Sequence, residues 1–121
     1  FTAGFPIEEM RLPTTADVRA DPTGDGNDTA GFVCRPARAQ SRFSAHAYGL
    51  AIDVNPFQNP FVRRDLVLPE LASAYLDRSW VRPGMLEAGS PAVRAFTREG
   101  WTWGGDFRSV KDYQHFSLTG G

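Results

Sequence analysis

The chain has 121 residues, 41% hydrophobic and 22% charged, with 13 basic against 14 acidic side chains and a formal net charge of -1. That is enough apolar material for one small core and too little length for two domains. A balanced charge without a basic run argues against a nucleic-acid face, no apolar run reaches the length of a membrane span, and a lone cysteine, Cys34, excludes both an internal disulfide and a cysteine-held structural zinc.

Taken in order, the segment from Phe1 to Arg11 starts on Phe rather than Met and carries no charged-then-apolar leader, so it reads as the trimmed start of a longer chain. Gly4 and Pro6 mark a helix end or a turn into a strand through Ile7. Thr14 or Thr15 can cap one short helical turn before Ala20. The stretch Asp21 to Gly31 is a loop by composition; its acids lack the alternate spacing and the closing glutamate of a calcium loop. Phe32-Val33-Cys34-Arg35 has strand character, with Cys34 expected as a small buried residue.

The chemistry concentrates in Ser44-Ala45-His46-Ala47-Tyr48-Gly49-Leu50-Ala51-Ile52-Asp53. From Leu50 the apolar residues alternate, which predicts a strand with Leu50, Ile52 and Val54 towards the core and Ala51, Asp53 and Asn55 on the other face. Gly49 lets the chain turn, so that His46 can fold back towards the Asp53 carboxylate. The prolines at 56 and 60 then end the strand.

Further on, a short helix is expected behind Pro69, with Leu71, Ala74 and Tyr75 on one face. Ser90 to Gly100 is the clearest helix: Ser90 caps it, Pro91 takes its first position and Gly100 stops it. Trp101 and Trp103 suit core packing, with ligand stacking as the alternative. In Asp112-Tyr113-Gln114-His115-Phe116-Ser117-Leu118, alternation sets Gln114, Phe116 and Leu118 on one face and Tyr113, His115 and Ser117 on the other.

His46 and His115 are the only histidines, and with Asp53 they make the three protein ligands of a catalytic zinc that keeps an open position. Asp112, three residues before His115, can act as a general base outside the ligand set, or be a surface acid beside Lys111. An arginine, with Arg35 ahead of Arg38 and Arg42, can stabilise an oxyanion or hold a substrate carboxylate. No HExxH helix, GxSxG elbow or SxxK motif competes with this reading.

These residues carry a resemblance. The Ser44 to Asp53 stretch matches SxHxxGxAxD at every defined position, while Trp103-Gly104-Gly105-Asp106 and Asp112-Tyr113-Gln114-His115-Phe116 match WGGD and (D/E)xxHF. The chain thus resembles the VanY-like zinc D-alanyl-D-alanine carboxypeptidases and the related L-alanyl-D-glutamate endopeptidases of bacterial cell walls and phage endolysins. The likeness implies a small α+β domain over residues 1–121, an antiparallel sheet flanked by helices of the Hedgehog/D,D-peptidase type. It implies His46, Asp53 and His115 as zinc ligands, Asp112 as base and Arg35 as the carbonyl-polarising arginine, with Ser44, Trp103 and Tyr48 touching substrate. It further implies a monomer acting on peptidoglycan stem peptides in a secreted, periplasmic or wall-associated setting. Asp112 departs from the glutamate of many members by one methylene. Removal of the terminal D-alanine is the expected reaction; an internal cut, or a zinc-containing wall-binding module with little hydrolysis, are the alternatives.

Overall fold

Antiparallel pairing between distant segments organises this small α+β protein. The computed structural model describes residues 1–12, 14–20, 26–34, 36–37 and 41–120. In chain order these form α1 (Thr15–Ala20), β1 (Ala51–Asp53), β2 (Phe61–Arg63), β3 (Leu66–Leu68), α2 (Pro91–Arg98), β4 (Thr102–Trp103), β5 (Lys111–Asp112) and β6 (His115–Ser117). Short 3-10 turns span Ala45–Tyr48, Glu70–Tyr75 and Gly104–Asp106. The strands make two antiparallel three-stranded sheets, one ordered β1-β6-β4 and the other β3-β2-β5.

The core lies against the first sheet. Val54, Leu86, Val93, Trp103 and Phe116 are buried together, and Phe96 of α2 stacks on Phe116 with ring centroids 4.1 Å apart. Burial of side chains this large stabilises by roughly 1.5–3 kcal/mol each. Helix α2 forms as its sequence predicts: the Ser90 hydroxyl accepts from the Val93 N–H, Pro91 occupies the first turn, and Gly100 follows the helix with φ +85°.

Several expectations need correction. β1 is covered on both faces, because Ala51 and Asn55 are as buried as Val54. β6 is likewise buried on both faces at His115, Phe116 and Ser117, and Leu118 is half exposed rather than in the core. Residues 32–34 form no strand: the Val33 N–H reaches the His46 carbonyl at 3.4 Å, and Phe32 and Cys34 are exposed. No strand runs through Ile7 either; this segment is tied down by single contacts such as the Glu9–Asp28 bridge. Behind Pro69 the turn is 3-10, with a repeat of three, so Ala72 is buried while Leu71 and Ala74 face solvent.

One buried side chain ties the outer loops to the end of β1. Asn55 Oδ1 accepts from the Glu8 N–H at 2.9 Å, and its Nδ2 donates to the carbonyls of Pro6 (2.8 Å) and Gly84 (3.2 Å). Asn59 adds donations to Val54 and Gly84 and accepts from the Leu86 N–H. Removing a partner from such a buried network strands groups that water cannot reach. Asn55→Ala should therefore lower unfolding stability by about 3 kcal/mol in urea denaturation; a loss below about 0.5 kcal/mol, the level of an ordinary surface change, would show that the network is dispensable.

Candidate metal centre

The register of β1 against β6 sets Ala51 opposite Ser117, Ile52 opposite Phe116 and Asp53 opposite His115. Directly opposed residues share a face, so the pairing that buries Phe116 in the core also brings the Asp53 carboxylate to the His115 ring. Asp53 Oδ1 lies 3.0 Å from His115 Nδ1, and Asp53 Oδ2 lies 3.2 Å from His46 Nε2. The two imidazoles stand 5.2 Å apart, centroid to centroid, and both are nearly buried.

His46 arrives by a different route. It sits in the 3-10 turn Ala45–Tyr48, which Gly49 closes in the left-handed conformation at φ +68°, its N–H donating back to the carbonyls of Ala45 and His46. The chain can then enter β1 at once. Ala30 exchanges hydrogen bonds with Asp53 (3.0 and 2.9 Å), and this places the Gly31 carbonyl 2.8 Å from His46 Nδ1. Since a carbonyl only accepts, Nδ1 donates to Gly31 and Nε2 is the nitrogen turned towards Asp53. Gly31 is a functional partner that sequence reasoning missed, because it contributes only a backbone oxygen.

Burial pushes the Asp53 carboxyl up, but hydrogen bonds to His115 and His46, together with their charge, outweigh it and hold the group well below the usual carboxylate range. The acid is therefore anionic at neutral pH. One ligand atom from each of His46, Asp53 and His115 falls within 4.8 Å of the others. Two imidazole nitrogens, one on a ring oriented by the Gly31 carbonyl, and an ionised carboxylate fit a divalent transition metal.

Asp112 is not in that ligand group. It ends β5, with its Oδ1 buried and its backbone packed so closely on Gly104 that a Cβ there would sit 2.5 Å from the Asp112 carbonyl. A side chain on Gly105 would run into the Trp103 indole. The two glycines thus allow the 3-10 turn to lie against Trp103 and Asp112. Phe107, just after this turn, packs near His115 with centroids 6.5 Å apart.

Trp103, expected to touch substrate, lies in the core. It is 3% exposed and donates from Nε1 to the Tyr113 carbonyl at 2.8 Å, so its ring offers no face for stacking. Tyr48 is largely exposed at the end of the His46 turn, and Ser44 precedes that turn with a buried hydroxyl that makes no hydrogen bond among the described residues. Arg35 and Arg38 lie outside the described residues, and Arg42 is exposed.

Residues 37–118 match the family model described as D-alanyl-D-alanine carboxypeptidase, of the M15 peptidases. The match includes His46, Asp53, Asp112 and His115. No solved structure matches the chain significantly.

A three-ligand site reduced to two holds a metal poorly. His46→Ala and Asp53→Asn should each weaken metal affinity by at least about 100-fold in chelator competition; wild-type affinity in either variant would remove that residue from the site.

Proposed function

The chain belongs to the D-alanyl-D-alanine carboxypeptidase family of M15 peptidases, and from that membership we propose that it is a zinc peptidase that removes the terminal D-alanine from peptidoglycan stem peptides outside the cytoplasm. The observation that carries this reading is the convergence of His46, Asp53 and His115, all within the matched region, on one point between β1, β6 and the turn before Gly49.

His46 Nε2, His115 Nδ1 and the Asp53 carboxylate would hold the zinc. When bound, zinc supplies Lewis acidity, polarising a carbonyl and acidifying water near neutral pH. The protein does the rest. Asp112, outside the ligand group, takes the proton of the attacking water on its carboxylate and delivers it to the departing D-alanine nitrogen, acting first as base and then as acid. Its carboxylate is one methylene shorter than glutamate, and the close fit of Asp112 on Gly104 fixes where that shorter arm begins. An arginine of the 35–42 segment, Arg35 first, holds the substrate's terminal carboxylate or the developing oxyanion.

Muropeptides ending in D-alanyl-D-alanine, incubated with zinc-loaded protein and followed by mass spectrometry, should lose one alanine in a chelator-sensitive reaction. A cut between L-alanine and D-glutamate would instead make the protein an endopeptidase, and wild-type binding without any cut would make it a wall-binding module. Asp112→Asn should retain zinc and lose at least about 100-fold in kcat; unchanged turnover would reject Asp112 as the proton carrier.

A further inference from the structure

Asp112 and His115 are three residues apart but belong to different sheets. β5 pairs with β2, placing Asp112 opposite Phe61, whereas β6 pairs with β1 and β4. No common ladder sets the distance between the two side chains. Besides the packing of Asp112 on Gly104, that distance depends on Tyr113 and Gln114, which carry the chain from one sheet to the other.

Tyr113 is held at several points. Its N–H donates to the Pro60 carbonyl at 3.3 Å, its own carbonyl accepts from Trp103 Nε1 at 2.8 Å, and its ring lies 6.1 Å from that of Trp103. The Arg78 guanidinium lies over the Tyr113 ring, 4.4 Å from its centroid. Arg78 is itself immobilised, donating to the carbonyls of Gln58 and Leu86 at 2.7 Å each and to Asn59 Oδ1 at 3.2 Å. A planar cation with donors on its edge can satisfy three acceptors and still cover a ring with its face, which an ammonium cannot do.

We propose that Arg78 is a positioning residue for the reaction: by clamping the Tyr113 ring it fixes the crossing between the sheets, and so the placement of Asp112 relative to His115. This rests on the roles given to those two residues under the proposed function. Arg78 touches none of the proposed ligands, and its effect runs through Tyr113. His46 has an anchor of its own in the Gly31 carbonyl, besides the Asp53 carboxylate that it shares with His115.

This difference in anchoring supplies the test. The chain has only two histidines, so ring resonances of the imidazole-labelled full-length protein report each separately. In Arg78→Lys the His115 resonances should shift clearly more than those of His46, and kcat should fall about tenfold with KM within about twofold, the mark of a misplaced rather than missing group. Tyr113→Leu should reproduce both effects and Tyr113→Phe, which keeps the ring, should show neither. In the Tyr113→Leu background, Arg78→Lys should add less than about twofold. Equal shifts of both histidines, no shift of His115, or fully additive losses would overturn the proposal. Should wild-type protein show no turnover, the proposed function fails, and the resonances of the single variants still decide the role of Arg78.

Discussion

The site depends on one cross-strand pair. Because Asp53 stands opposite His115 in the β1–β6 ladder, a carboxylate and an imidazole meet without any loop having to find them. Sliding β1 by one residue would turn Asp53 away and take Ile52 and Phe116 out of register. Core burial and ligand placement are therefore two consequences of the same pairing. The third member of the cluster, His46, is held through the other edge of β1, where the Ala30 bridge to Asp53 sets the Gly31 carbonyl against His46 Nδ1. A chain of backbone contacts thus runs from His115 through Asp53 and Ala30 to His46.

Around this centre the protein spends its buried polar groups on fixing loops rather than on the chemistry itself. Asn55 and Asn59 join the N-terminal segment, the Gly84 turn and Leu86 to the end of β1, and Arg78 joins Gln58, Asn59 and Leu86 to the Tyr113 turn. A protein with strands of two or three residues gains little from sheet hydrogen bonding alone. Side chains that satisfy several backbone groups at once stand in for longer ladders, and the Trp103 indole adds one bond, to the Tyr113 carbonyl, from the core side.

The cluster that could hold a metal was legible in the sequence because the chain has only two histidines, each near an acid in a strand-like alternation, and because Gly49 sits where the turn requires positive φ. The α2 helix was legible through its cap, its proline and its stop. Elsewhere the local signal was missing or misleading. The β2–β3 hairpin turns at Arg64-Asp65, with Arg64 at φ +54°, so none of the usual Gly or Asn markers announces it. Asn55 was expected on the face turned away from the core, although its side chain is wholly buried; only the tertiary fold supplies its partners, Pro6, Glu8 and Gly84. The strand expected at Phe32 to Arg35 had the right residue types, but residues 32–34 lie along the His46 turn with no ladder to join.

X-ray absorption at the zinc edge of the zinc-loaded protein tests the central claim most directly, because it reads the atoms around the metal without reference to turnover. The account predicts a shell of nitrogen and oxygen neighbours at about 2.0–2.1 Å, with the outer-shell scattering of two imidazoles and no sulfur. A sulfur neighbour near about 2.3 Å, which would implicate Cys34, or scattering from fewer than two imidazoles, would contradict it.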